Sequence, residues 1–566
     1  MIQIRAEKIS SIILAIMIIG IFLTNTAEAF PQRIATFNVL EPTSIDRTWD
    51  DVSLMYEGQF HDPAEVEEEI ENIHVLVPEL VDLEIIGQSY LGRDITCLRI
   101  TNEQIEIQKA KTLVVAQHHG REQITVEIAL RFILQLLNGY GVDSLLTEYI
   151  DTQEIYIIPT LNPDALELVV NQNNHYLRKN LRPFDNDNDG LFDEDPIDDA
   201  NGDGVIYERH VFRKTGGEPE FLYQYYEGID DDGDGLVNED EVGCTDLNRN
   251  YDSYWGGTPG SSPDPTSQAY HGAEPFSEPE TQAFRDFAER HRFAMAYSLH
   301  SGINATYFPD DANYHWLDPV LSYEVVEDFA EILPSSFNEI YEYPSHSETT
   351  WQDEVAPDTG YCGLWADWMY HERDSTLPIC FELYHNESSD YEHSYELIWE
   401  NSTHMEMEWK SIYGYFNPVE SYIDDLWEEV KPAFNYLLRM TPRLRVDITT
   451  VSGTPGQGES ISIDVGISNL SPRLGTVDEV ELRSSNGDLL DSYAAVDGGS
   501  TDHYISSIPA SFTGDDYTVL VGNNFTGYVS VTIGSTNPLF GILVPIGIGV
   551  ALIAVVAVVF ILGRRQ

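Results

Sequence analysis

Apolar residues recur at helical spacing between residues 62 and 80, at Val66, Ile70, Ile73, Val77 and Leu80, and predict an amphipathic helix. Short β-type runs then alternate with helical ones. Residues 112–117 read as an apolar strand, and 124–137 as a helix with Ile124, Ile128, Phe132, Ile133 and Leu136 on its apolar face. Residues 154–159 form another strand, 280–291 a helix, 293–299 a strand and 379–383 another; 422–440 closes the series as a helix. This alternation predicts an α/β domain over 53–440, with a mixed, mostly parallel sheet flanked by helices. Residues 30–52 read as an irregular lead-in.

Past Pro442 the texture changes. Segments 460–468, 477–483 and 516–521 are short, β-rich and separated by Gly, Ser, Asn and Pro. They predict an all-β sandwich over 443–536, immunoglobulin-like in architecture and serving as a spacer. Both ends carry addresses. Arg5 and Lys8 precede the apolar run 12–23 and the small-x-small site Ala27-Glu28-Ala29, the pattern of a signal peptide over 1–29. Residues 539–562 are apolar and are followed by Arg564-Arg565. At about 1.5 Å per residue such a run crosses a ~30 Å hydrocarbon core as a single transmembrane helix. The terminal arginines belong on the cytoplasmic side. The expected location is therefore the cell membrane, single-pass, with an extracellular N-terminal ectodomain. An uncleaved anchor and a buried core helix are the alternatives for the two runs.

The 566 residues exceed what one core organises, so several folded units are expected. Thirty Lys and Arg against 96 Asp and Glu give a formal charge of -66. Such a surface repels nucleic acid and argues against a nucleic-acid partner. Salt adaptation, bound calcium and simple solubility all account for the excess. Cys97, Cys244, Cys362 and Cys380 allow two disulfides in an oxidising compartment, with three connectivities open; no C-x-x-C pair suggests a four-cysteine zinc site.

His119-Gly120-Arg121-Glu122 follows the strand 112–117 and opens a helix. Strand C-termini are where open α/β sheets present their sites. An H-x-x-E pair supplies two metal ligands, and catalytic zinc needs a third with one position left open. A surface His beside a helix-N-terminal Glu is the bland alternative. His300, in Leu299-His300-Ser301 at the end of strand 293–299, is placed to be that third ligand. Further along stand Arg178-Lys179-Asn180 preceded by Asn162-Pro163-Asp164, Asp246-Leu247-Asn248-Arg249-Asn250, Tyr307-Phe308-Pro309 and Phe381-Glu382-Leu383. Upstream, residues 86–93 read I-G-Q-S-Y-L-G-R.

In this order, over roughly 60–440, these elements resemble the zinc metallocarboxypeptidases of the carboxypeptidase A/B type. The resemblance implies one catalytic zinc on His119, Glu122 and His300, with Glu382 as general base and Arg178 stabilising the oxyanion. It implies that Asn248 and Arg249 clasp the terminal carboxylate of a peptide or protein substrate, that Arg121 touches the substrate further along, and that Asp246 orients His119. It also asks for a substrate-contacting tyrosine ahead of Asp367-Trp368. Tyr361 is the nearest candidate, although an ungapped count lands on Thr359. The implied activity is hydrolysis of C-terminal residues outside the cell. A cell-wall peptide carboxypeptidase of the same fold and a non-catalytic, calcium-dependent binding ectodomain are the competing readings.

The family needs only a short connection between Asn180 and Asp246. Here residues 183–243 form an acidic insertion. It contains Asp185-x-Asp187-x-Asp189-Gly190, Asp199-x-Asn201-x-Asp203-Gly204 and Asp230-x-Asp232-x-Asp234-Gly235. Oxygen ligands at alternate positions followed by a turn glycine suit structural calcium, with Asp193, Asp195, Glu208, Asn238 and Asp240 available to complete the shells. The first two runs have no Glu at their twelfth position. A solvated acidic loop is the alternative. Sequons at Asn304, Asn386, Asn401, Asn469 and Asn524 permit N-glycans.

Overall fold

Asp62 starts the first helix, α1 (Pro63–Leu76), with a reciprocal capping box: its carboxylate accepts from Glu65 N while Glu65 accepts from Asp62 N. The helix stops four residues short of the apolar pattern because Pro78 disfavours helical backbone at Val77. Val77 and Leu80 remain buried, and so keep the periodicity after the helix has ended.

The structure is a computed structural model describing residues 47–534, except 106–108, 186–189, 194, 198, 203–205, 218, 231–237, 239–241, 258–259, 303–305, 308–327, 329–330, 335–361, 374–376, 387–394, 410–411, 443, 453–460, 470–479, 485–487, 494–495, 497–499, 509–515 and 524–526. The expected signal peptide and transmembrane run lie outside the described residues. Among the described residues no helix is long and apolar enough to cross a membrane.

Seven strands form the central sheet: β1 (Val81–Gln88), β2 (Asp94–Ile100), β3 (Ala110–Ala116), β4 (Gln153–Ile158), β7 (Phe293–His300), β8 (Thr306–Tyr307) and β9 (Leu377–Glu382), in the order β1-β2-β4-β3-β7-β9-β8. The inner four, β4, β3, β7 and β9, are parallel; β1, β2 and β8 add antiparallel edges. Successive side chains on the inner strands divide between two cores. Val114 and Ala116 join a cluster with Phe132 of α2 (Ile124–Gly139) and Phe434 of α8 (Ile423–Met440). Leu113 and Val115 join Phe284 of α5 (Pro279–Ala288) and Trp365 of α6 (Trp365–His371). Period-two alternation with both faces covered explains why these strands read as continuous apolar runs. Two more helices, α3 (Ser144–Thr152) and α4 (Pro163–Gln172), and the short α7 (Ile412–Phe416) complete the domain.

The insertion is more than a loop. It contributes β5 (Glu208–Arg213) and β6 (Glu220–Tyr226), which combine with β10 (Tyr395–Glu400) and β11 (His404–Trp409) into a four-stranded antiparallel sheet ordered β10-β11-β5-β6. Beyond α8 lie two antiparallel sheets. One joins β12 (Leu444–Ser452), β13 (Ile461–Asn469) and β16 (Thr501–Ile508). The other joins β14 (Val480–Ser484), β15 (Leu489–Tyr493), β17 (Asp516–Asn523) and β18 (Gly527–Gly534). Val465, Ile467, Val480, Leu482 and Val521 are among their buried residues, together with Val496.

No disulfide joins the four cysteines. Cys97 and Cys380 instead pack as small apolar groups in the core beside α5 and α6. The sequon at Asn469 is buried, its amide donating to Val496 O at 3.2 Å, so this side chain is not presented for glycosylation.

One buried carboxyl ties three elements together. Glu280 of α5 accepts from Tyr90 N at 2.8 Å and from Asn180 Nδ2 at 3.1 Å, and burial, with Glu278 adding to it, pushes its carboxyl from 4.5 up to about 7. A raised acid favours folding below its unfolded value, and that contribution disappears as pH rises through the folded one. Unfolding free energy should therefore fall by on the order of 3 kcal/mol from this group between about pH 4.5 and 7. Denaturant titrations across that window are expected to show a shallower slope in Glu280→Gln.

Candidate metal centre and active site

Three parallel strands end level with one another and place their terminal side chains together. Ala116 lies opposite Leu299, and His300 opposite Glu382. Just past β3, Gln117 adopts a left-handed backbone (φ 58), a conformation that a non-glycine residue holds only when its surroundings impose it. The Thr160 hydroxyl, which donates to the Gln117 side chain, supplies part of that restraint. Gly120 then passes so close to α4 that a Cβ would meet Ala165 Cβ at 2.7 Å and Leu177 O at 2.8 Å. Its own N–H donates to Arg178 O at 3.2 Å, which joins this turn to the segment carrying Arg178.

His119, Glu122 and His300 converge, with a donor atom of each within 4.8 Å of the others, and all three are buried. His119 Nδ1 lies 2.7 Å from Glu122 Oε1, His300 Nδ1 lies 3.0 Å from Glu122 Oε2, and the two Nδ1 atoms are 3.2 Å apart. The outer nitrogens are engaged from behind. Asp246 Oδ1 is 3.1 Å from His119 Nε2; a carboxylate can only accept, so Nε2 carries the proton and Nδ1 turns its lone pair inward. Arg178 Nη1 donates toward that lone pair at 3.2 Å. His300 Nε2 faces Ser298 Oγ at 2.9 Å and Asn248 Nδ2 at 3.3 Å. Burial holds His300 below the ordinary imidazole value despite Glu122, which keeps the ring neutral as a ligand requires. Two imidazoles and a carboxylate turned toward one point fit a zinc ion of the His₂Glu type.

Charge around this point is compensated by named partners. Burial alone would raise Asp246, but Arg178, Arg249 and His119 hold its carboxyl well below the usual range. Arg178 Nε donates to Asp246 Oδ2 at 2.9 Å, and Arg249 Nη1 stands 4.0 Å from the same oxygen. Glu122 is likewise lowered: burial opposes this, but the two histidines outweigh it. Glu382 behaves in the opposite sense. Burial, then the negative charge of Glu122, push its carboxyl well above the usual range against Arg178 and Arg249. Its Oε2 is buried without a hydrogen-bond partner among the described residues.

A single 3₁₀ turn, Leu247–Arg249, presents the remaining polar groups. Both ends of the Asn248 amide are used within the protein, for its carbonyl accepts from Trp365 N at 3.0 Å while Nδ2 faces His300. Arg249 donates through Nη1 to Asn248 O at 2.7 Å. Arg121 stands apart from the carboxylates, donating to Tyr176 O at 3.2 Å with its guanidinium 4.3 Å from the Phe416 ring centre. Tyr361 lies outside the described residues. Of the expected calcium ligands, Asp185, Asp193, Asp199, Asn201 and Asp230 are described, whereas Asp187, Asp189, Asp203, Asp232 and Asp234 lie outside.

Sequence reasoning missed the groups behind His300. Ser298 Oγ meets His118 Nδ1 at 3.0 Å, and His118 Nε2 meets Tyr251 OH at 3.0 Å, all of them buried. A signal existed for two of these: Ser298 shares the strand face of His300 by period two, and His118 directly precedes His119.

The family model described as zinc carboxypeptidase matches residues 66–433. The chain belongs to the zinc carboxypeptidase family. Membership makes it a metallocarboxypeptidase, a hydrolase of a family whose cofactor is zinc. A zinc carboxypeptidase of Saccharothrix mutabilis subsp. capreolus is 36% identical over 108 residues, which cover 19% of this chain and 25% of that protein. Carboxypeptidase A2 of Rattus norvegicus is 22% identical over 382 residues, 67% of this chain and 70% of that protein. Among solved structures, thrombin activatable fibrinolysis inhibitor is 22% identical, with 69% of this chain and 77% of that one covered at a TM-score of 0.45.

Removing the Asp246 carboxylate strands the Arg178 guanidinium and leaves His119 Nε2 without its acceptor. Asp246→Ala is expected to lower the unfolding free energy by about 3–5 kcal/mol, measured by denaturant titration, as loss of one partner of a buried ion pair does.

Proposed function

We propose that this carboxypeptidase removes C-terminal residues from peptides or proteins outside the cell, with His119, Glu122 and His300 as zinc ligands and Glu382 as general base. The supporting observation is the shared level of His300 and Glu382 on paired strands, which sets an unpartnered buried carboxylate oxygen beside the three converging ligands. A zinc held by His119, Glu122 and His300 would supply a Lewis acid for the scissile carbonyl and would acidify a water. Glu382 would take the proton from the attacking water and pass it to the leaving amine. Arg178, fixed by Asp246, offers a cation where negative charge develops on the carbonyl oxygen. Arg249 receives the substrate's terminal carboxylate, with Asn248 shaping the turn that holds it. Arg121 contacts the substrate further from the cut, and Tyr361 is the candidate for a tyrosine closing over it.

In the same reading the acidic insertion binds calcium as a structural ion. The β-rich region 443–536 is a sandwich-type spacer, the run 539–562 is a single membrane anchor, and residues 1–29 are a signal peptide. The anchor rests on the length of the apolar run and the arginines after it. Truncation before residue 539 should move the protein from the membrane fraction to the soluble one; a full-length chain that fractionates as soluble would exclude the anchor.

The enzyme should contain about one zinc per chain by metal analysis and release C-terminal residues stepwise from free peptides. Glu382→Gln should retain the zinc while losing at least about 10²–10⁴-fold in turnover. Equal cleavage of C-terminally amidated peptides would overturn the exopeptidase assignment, and an active Glu382→Gln protein would overturn the role of Glu382.

A further inference from the structure

The run Asp199-x-Asn201-x-Asp203-Gly204 has alternate oxygen ligands but no acid at its twelfth position, so as a cation loop it is one carboxylate short. The fold brings an acid to it from elsewhere. Glu227 directly follows β6 and lies beside the loop, where its N–H donates to Tyr207 O at 2.8 Å and its Oε1 accepts from Asn201 N at 3.2 Å. The residue is 1% exposed, and its second oxygen, Oε2, is buried with no hydrogen-bond partner among the described residues. Among the described residues its one ion-pair partner is Arg209, whose Nη2 stands 4.0 Å from Oε1 and is shared with Glu408 at 3.3 Å. A buried carboxylate oxygen without a partner is costly unless a cation meets it.

The residues flanking the loop are packed toward Arg121. Ile197 and Ile206, which bracket the loop, share a small core with Tyr176 and Phe416, and Tyr226, the residue before Glu227, packs on it with its ring 5.4 Å from that of Tyr176. Tyr176 and Phe416 both contact the Arg121 guanidinium, through the carbonyl oxygen of one and the ring of the other. Phe416 also lies against Gly302, where a Cβ would meet its ring at 2.5 Å, two residues beyond His300.

We propose that Asp199, Asn201 and Glu227 bind calcium, with Glu227 supplying the carboxylate that the loop lacks, and that the filled site fixes Arg121 through Tyr176 and Phe416. Calcium suits this set better than magnesium, because it accepts six to eight protein oxygens in irregular geometry whereas magnesium keeps several waters. The coupling half rests on the reading of Arg121 as a substrate contact; the binding half does not.

The test uses the full-length, zinc-loaded protein freed of calcium. Calorimetric titration with calcium chloride reads the site without turnover and can be repeated in Glu382→Gln. Relative to wild type, Glu227→Gln, which keeps the acceptor for Asn201 N, should lose one calcium equivalent or weaken it about tenfold or more. Asp199→Asn should do the same, and guards against a folding defect peculiar to one variant. Unchanged stoichiometry and affinity in both variants would overturn the site. In peptide hydrolysis, calcium withdrawal should raise KM several-fold with kcat and zinc content nearly unchanged, and Glu227→Gln should show the raised KM even with calcium present. A KM indifferent to calcium in an active enzyme that binds it would overturn the coupling. An inactive enzyme that still binds calcium through Glu227 would instead count against the peptidase reading alone.

Discussion

Ala116 opposite Leu299, and His300 opposite Glu382, fix the register of three parallel strands at the edge where their carbonyl ends stop. That register is a constraint on everything beyond it. A one-residue slip of β7 against β9 would turn His300 to the other face of the sheet and separate it from both Glu122 and Glu382. The two hydrophobic cores make such a slip costly, because every inner-strand side chain would exchange one core for the other. Packing far from any chemistry thus holds the donor atoms of His119, Glu122 and His300 at hydrogen-bond distances from one another.

Asp246 is the second fixed point. It receives Arg178 and His119 on its two oxygens and accepts from Asn248 N at 2.9 Å, so one carboxylate aligns groups from three separated stretches of chain. Its buried negative charge is balanced by Arg178 and Arg249, whereas Glu382 has no hydrogen-bonded counterion among the described residues and is pushed the other way by burial. Two buried carboxyls in one site are therefore driven in opposite directions by what surrounds each of them.

Much of the candidate site was legible because its residues sit in short motifs at strand ends. The pattern of apolar runs located β3, β7 and β9, and His119, Glu122, His300 and Glu382 follow directly from them. What was not legible is non-local. Strands β5 and β11 pair Glu208 with Trp409 and Arg213 with His404, and nothing in either segment's own alternation announces the partner. Glu227 is invisible for the same reason, since it meets Asn201 only after β5 and β6 have folded back. Val77 and Leu80 extended the helical pattern past its true end because periodicity records burial, and Pro78 decides the backbone. The cysteines misled in another way: Cys97 and Cys380 are buried for packing, which a count of thiols cannot distinguish from pairing.

The sheet β10-β11-β5-β6 draws one pair of strands from before the segment bearing Glu382 and the other from after it. Its inner ladder closes a loop about half as long as the α/β domain, and such closure sacrifices chain entropy before it returns any contact. The β3–β7 ladder of the parallel core spans a comparable separation, but only this outer wall waits for polypeptide beyond β9 to emerge and turn back. Lesions in the wall should consequently act on the rate of reaching the finished molecule more than on the architecture of the centre beneath it.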